Sequence, residues 1–347
     1  MSETGEAALP HPTDWPAAWL AAQAGLAVEL AHAALAAGRL EARLSVMEDA
    51  ARAGATRRLA LIETEAMLRA QGTPLSREEI GLDAMTARAG TDLAAMAQAR
   101  WALRRLEGQS DPARLRDFLA LHRNPDQTEA AWSERPVGGA FDAAATDFHT
   151  AMDDLSGLHP LARAPAARML WRLAGLSPDG AALEAAVWAA RDMARATPGL
   201  VFLPLGRHGR AVWADGGPPE RRLSRHLAAV AQGADDAARL LDRITAWAAA
   251  ARDATAAIKG RNPARVIAAL AAHPVLHTAQ VEDLADISRD TAERLLSRMQ
   301  AMGLVREVTG ARRFRLWTAA FGDEYRNAGL KQHSKRDHAF SAVQISR

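Results

Sequence analysis

The chain contains no cysteine, which excludes disulfides, thiolate-ligated zinc, iron–sulfur clusters and a cysteine nucleophile. Aromatic residues make up only 5%, with a single tyrosine. That is too few of the residues that populate strands for an all-β sandwich. Lysine is nearly missing, at 3 of 43 basic residues, an arginine excess that reads as coding bias and not as function. A dominant charge is also lacking, because 43 basic residues face 41 acidic ones. Any affinity for nucleic acid therefore has to come from a local patch. No uninterrupted apolar run approaches the roughly 18 residues of a membrane span. The leading MSETGEAALPHPTDWP has neither a basic start nor an apolar stretch, so a cytoplasmic protein without a signal peptide is expected. What the 347 residues do hold is alanine, 82 of them, the strongest helix former. The expected fold class is mainly α.

Residues 1–12 are polar and Pro-containing and are expected to be disordered. From Thr13 or Asp14 a helix is expected to about Ala37, stopping at Gly38, with further helices over Leu40–Ala53 and Ala55–Arg69. Gly72, Thr73 and Pro74 form a break. Helical texture returns at Thr86–Leu106, Phe141–Leu155, Arg163–Leu173 and Ala181–Arg195. Leu200–Leu205 reads as a short apolar strand-like run. A helix pair is expected from Glu220 to Ile258, interrupted near Gly233. Residues 13–262 thus describe an irregular all-α body with short loops.

After Pro263 the pattern changes. A helix over Ala264–Ala272 is expected, then a short one capped by Thr278. A third, capped by Ser288, has its apolar stripe at Ala292, Leu295, Leu296, Met299 and Met302. Leu304–Val308 and Arg313–Trp317 are two strand-like runs joined by a glycine-containing turn. Three helices followed by a β-hairpin is the order of a winged helix-turn-helix, placed at 263–320. Residues 261–320 carry 9 basic and 6 acidic side chains, while the remainder before them is net acidic. The last stretch, 321–347, is basic and expected to be disordered.

The third helix turns Arg289, Thr291, Arg294, Ser297 and Arg298 away from its apolar stripe. Arginine can bridge guanine O6 and N7, and Ser or Thr can reach bases or phosphates, so this face is a candidate reader of double-stranded DNA. Arg312, Arg313 and Arg315 in the hairpin are candidate backbone anchors. A protein-docking module with ordinary solvated arginines is the competing reading, because Asp290 and Glu293 on the same face repel phosphate. A homodimer would supply two half-sites.

Catalytic patterns are poor. No phosphate-binding GxxxxGK[ST] loop, GxSxG elbow, HExxH pair or Rossmann fingerprint occurs. No catalytic residue, metal or cofactor is expected. His273 and His277 are four apart, but Pro274 breaks the helix that would align them. Gly206–Arg210 (GRHGR) reads either as an anion-binding loop or as a solvated basic loop after a strand. Trp15 and Trp19, one turn apart, read as packing.

A helical body followed by GLVREVTGARRFRLW resembles alphaproteobacterial proteins that join a domain of unknown function to a C-terminal helix-turn-helix. These are themselves distantly similar to Fic/DOC proteins, whose active members transfer AMP to a target hydroxyl. The resemblance spans about residues 40–320 and implies a Fic-like helical domain. Arg57–Glu63 (RRLALIE), followed by Met67 and Leu68, is similar to the Ser-x-x-Ile-Glu inhibitory helix of some Fic proteins, without its serine. His159–Ala164 (HPLARA) is similar to the start of the helix leading into the Fic active-site loop. Setting Asp179-Gly180 against the motif HxFxDGNGR puts Gly175 at the histidine, Ser177 at the phenylalanine, Ala181 at the asparagine and Leu183 at the arginine. The resemblance then implies a scaffold that has lost its base and its phosphate-binding arginine. Three functions remain open on these residues. They are a DNA-binding regulator, a residual nucleotidyl transferase with Glu63 as inhibitory element, and a non-catalytic interaction partner.

Overall fold

The computed structural model describes residues 15–83, 92–121, 135–178, 180–213, 216–309 and 315–321. The expected disorder of 1–12, the basic tail beyond Phe321, Arg312, Arg313 and Asp179 lie outside these. The protein is mainly α, and its packing divides it into two units. One comprises residues up to Leu241 together with Ala272–Val275, and the other Asp242–Ala271 together with Leu276 onward.

The first unit begins with α1 (Trp15–Gly25) and α2 (Ala27–Ser45), bent 77° at their junction. The single helix expected to Ala37 is therefore broken earlier, at Leu26, whose side chain turns into the core. α3 (Asp49–Gln71), α4 (Arg77–Asp83), α5 (Leu93–Leu106), α6 (Leu115–Leu119) and α7 (Gly139–Asp153) come next. Then come α8 (Pro160–Leu173), α9 (Ala182–Met193), α10 (Gly209–Trp213) and the first part of α11 (Pro219–Thr255). Caps are local: Asp92 accepts the N–H groups of Ala94 and Ala95 at 3.0 Å to start α5. His159 accepts the Leu161 N–H, with Pro160 in the first turn, to start α8. Alanine-rich faces let helices approach closely, and three aromatics fill the space between α7, α8 and α9. Phe148 meets Trp171 and Trp188 edge-on, with ring centroids 5.4 and 5.1 Å away. Trp15 and Trp19 pack edge-to-face at 6.0 Å, with Trp19 fully buried.

Three glycines expected to end or interrupt helices lie inside them instead. α2 runs through Gly38, α3 through Gly54 and the 37-residue α11 through Gly233. At Gly233 the reason is close approach, since a Cβ there would lie 2.5 Å from the Pro204 carbonyl oxygen and 2.7 Å from Leu205 Cα. Gly54 likewise meets Ala272, where an added Cβ would sit 2.6 Å from the Ala272 Cβ. The run Leu200–Leu205 forms no strand. Pro204 cannot donate to a ladder, and the segment is instead buried irregular chain held by the Leu203 N–H on the Ala190 carbonyl (2.9 Å).

The second unit is built from the end of α11, α12 (Asn262–Ala272), β1 (Leu276–His277), α13 (Thr278–Ala285), α14 (Arg289–Ala301), β2 (Val305–Glu307) and β3 (Leu316–Ala319). Its core joins Ile244, Trp247 and Ala251 to Val266, Leu270, Val281, Leu296, Met299 and Trp317. The composition changes after Pro263, yet packing assigns this unit a start inside α11, because Trp247 donates to the Leu304 carbonyl at 2.8 Å. The sheet is antiparallel in the order β1-β3-β2, with Leu276 opposite Trp317 and Val305 opposite Ala319. β3 is central and buried on both faces, so the simple in–out alternation expected of a hairpin strand gives way there. His277, not Thr278, caps α13, exchanging two 3.1 Å bonds with Gln280. Thr278 instead accepts the Trp317 indole N–H at 3.1 Å. Ser288 caps α14 as expected, and Ala292, Leu295, Leu296 and Met299 are buried, but Met302, expected in the same stripe, is the C-cap residue and lies exposed. Among the described residues no single helix is long and apolar enough to cross a membrane.

The contact at Gly233 sets two effects against each other. Helix propensity alone favours Gly233→Ala by about 1 kcal/mol. The backbone collision with Pro204 and Leu205 opposes it by roughly 1–3 kcal/mol. We expect the variant to unfold at lower urea concentration than the parent; a higher midpoint would show that the close approach does not exist.

Candidate functional site

Ala285 and Ser288 bound the turn between α13 and α14. Asp286 sits there in the left-handed region with φ +51. Arg265 from α12 pins it by donating to the carbonyls of Ala285 and Asp286 and to the Asp286 carboxylate, at 3.1–3.2 Å. α14 therefore leaves a fixed turn, with its apolar stripe inward and its polar side in solvent. Arg289, Arg294, Ser297 and Arg298 are exposed there together. Arg289 is already engaged, its Nε 3.1 Å from Glu293 one turn on. Arg294 lies along the helix, donating to the Asp290 carbonyl and the Thr291 hydroxyl. Thr291 is half-buried and shares a 2.9 Å hydroxyl contact with Ser288, so it belongs to the cap more than to the open face. Arg294 and Arg298 have no carboxylate partner among the described residues. Arg315, just before β3, lies 3.5 Å from Glu307 and over the Trp317 ring.

The first unit holds the other candidates. The GRHGR segment is helical, a 3₁₀ turn over Gly206–His208 running into α10. Its leading amides are not free for an anion. Glu63 of α3 accepts the Gly206 N–H at 2.6 Å and bonds the Leu205 N–H as well. Its first cations are also occupied. Asp236 of α11 takes His208 at 2.9 Å and Arg207 at 3.2 Å, together with Arg239. Those partners hold the Asp236 carboxyl below its ordinary value against partial burial. The anion-loop reading therefore fails. Glu63 is a buried cap, and burial pushes its carboxyl up to about 7 despite the two backbone N–H groups.

In the stretch set against the Fic motif, Gly175 takes a positive φ of +62. Ser177 accepts the Trp171 indole N–H at 2.7 Å and donates to Glu184, which also holds Arg135 at 2.6 Å. His273 contacts Arg57 at 3.2 Å, and burial with Arg57 and Arg58 drives it down to about 4. His277 is spent on its cap.

Sequence reasoning missed a cleft of about 770 Å³ in the first unit, lined among others by Asp111, His149, Arg163, Trp188, Arg191 and Asp192. That volume suits a small molecule. At its wall Arg163 and Asp192 form a buried two-pronged pair at 2.7 and 2.6 Å. Its members come from α7, α8, α9 and the loop after α5, so no motif could have announced it.

The raised Glu63 value has a testable sign. The folded chain keeps this proton up to about pH 7, while the unfolded chain loses it in the ordinary carboxylate range. Between those limits the folded state binds more protons, so Glu63 makes stability fall as pH rises. For a shift of this size the effect is on the order of 3 kcal/mol. The buried histidines, with lowered values, act in the opposite sense but are common to parent and variant. Glu63→Gln should therefore gain stability relative to the parent as pH goes from 5 to 8, read from urea midpoints. A constant difference across that range would refute the buried proton.

No protein-family model matches the sequence, and no curated protein matches it. Among solved structures, the chain is similar to a Fic family protein from Desulfovibrio desulfuricans G20, with 14% sequence identity and a TM-score of 0.47. The match covers 90% of this chain and 97% of that one. A likeness this distant assigns no residue a role, and the architecture rests on the chain's own elements.

Proposed function

We propose that the C-terminal unit is a winged helix that binds double-stranded DNA, and that the protein is a transcriptional or plasmid-borne regulator without catalytic activity. The observation that carries this reading is the outer face of α14. Arg294, Ser297 and Arg298 are exposed there, neither arginine paired with a carboxylate among the described residues, on a helix whose opposite side is locked into the core. Arg294, Ser297 and Arg298 are assigned to base edges in the major groove. Arg315, with Arg312 and Arg313, is assigned to phosphates. Arg289 and Thr291 take a lesser part, since one is paired with Glu293 and the other with the cap. A single module of this size makes few contacts, so a homodimer reading two half-sites completes the proposal. The helical body would then serve dimerisation or sensing, and its cleft offers a small-molecule effector a place.

Selection from pooled random and genomic duplexes tests this. The parent should enrich a motif that the Arg294→Ala/Arg298→Ala variant loses, with affinity falling steeply as salt rises. Weak, motif-free binding would leave only non-specific contact, and no binding at low salt would overturn the reading in favour of a protein partner.

The Arg289–Glu293 pair yields a second expectation. Glu293→Gln removes a repulsive charge and frees a cation. It should tighten binding at low salt and steepen the salt dependence by about one phosphate contact. Unchanged affinity would place this part of α14 away from the DNA.

A further inference from the structure

Three arginines of the first unit surround a small cavity lined by Pro165, Arg168, Met169, Arg172, Val212 and Arg222. Arg168 and Arg172 are one turn apart on α8, and Arg222 comes from the first turns of α11. Two of the side chains are held by uncharged acceptors. Arg168 donates to the Val212 carbonyl at 3.0 Å, and Arg222 reaches the Met169 sulfur at 3.2 Å. The Arg222 Nε is buried with no hydrogen-bond partner. No carboxylate pairs with any of the three among the described residues. Burial and the repulsion of Arg172 and Arg222 bring Arg168 down to about 9. Nearby His226 is held neutral by burial and by Arg168, its value pushed to about 3. It therefore adds no charge, and it cannot relieve the repulsion either.

A guanidinium is costly to desolvate, and two more beside it raise that cost unless a negative charge compensates. Its planar fork also favours anions over neutral acceptors. The space is small: about 10 Å³ is open to the centre of a water-sized sphere, roughly one such position. Arg172 is the exposed member and stands at the mouth.

We propose that Arg168, Arg172 and Arg222 bind a small inorganic anion of chloride size, which stabilises the packing of α8, α10 and α11. This proposal does not depend on the DNA reading.

Chloride NMR line broadening by the DNA-free, full-length protein tests it directly, in gluconate buffer at constant ionic strength. The parent should broaden the chloride line, and Arg222→Gln and Arg172→Gln should each remove most of that broadening. The parent should also melt a few degrees higher in chloride than in gluconate, a gain the variants lack. Should Arg222→Gln fail to fold, the exposed Arg172→Gln carries the comparison alone. Phosphate added to the parent tests the size of the ion, and a chloride line left broad is the expected result. Broadening equal in parent and variants, no broadening at all, or full displacement by dilute phosphate would each overturn the proposal.

Discussion

The approach of the Pro204–Leu205 backbone to Gly233 is the contact on which the first unit depends. With no Cβ at 233, the irregular chain can lie directly on α11, and the direction in which it continues toward α10 is then fixed. Glu63 from α3 caps its next turn, and Asp236, less than one turn beyond Gly233, holds Arg207 and His208. Three elements distant in sequence are thereby tied through one short segment. The same segment places α10, whose Val212 carbonyl takes Arg168 of α8. A methyl group at position 233 would press on this set as a whole and not on one contact.

The polar interior obeys one rule with two outcomes. Buried charge is tolerated where geometry supplies a partner. Asp192 does so for Arg163, through two bonds at 2.7 and 2.6 Å. Where no ionic partner is supplied, the group neutralises or its protonation shifts. Glu63 is satisfied on one oxygen by the Gly206 N–H, while its other oxygen has no partner. Its raised value comes from that half-satisfied burial and needs no catalytic role.

Much of the second unit was legible because its signals are local. Ser288 precedes a helix whose stripe of Ala292, Leu295, Leu296 and Met299 repeats at three- and four-residue steps, and both features hold. β1 was not legible, since two residues carry no periodicity. The burial of β3 on both faces arises from its central place between strands far apart in sequence. In the first unit glycine misled. Gly38, Gly54 and Gly233 look alike as breakers, but a glycine inside a helix costs only about 1 kcal/mol. At Gly54 and Gly233 packing against a neighbour supplies the reason. That neighbour cannot be read from the local pattern, and neither can the meeting of Arg222 with Arg168.

The arginine excess gains meaning only through solvation. With 40 arginines in the chain, presence alone identifies nothing, and most of those described are engaged by carboxylates or carbonyls. The informative ones lack an anionic partner, and their environment separates them. At the exposed positions 294 and 298 water solvates the charge cheaply, so the protein is stable without a ligand there and DNA would be an optional partner. At 168 and 222 the side chains are half-buried, and a charge there without an anion is a standing cost to folding itself. Losing an anion should therefore weaken the fold in the second case, whereas losing DNA should leave the first unit's stability unchanged.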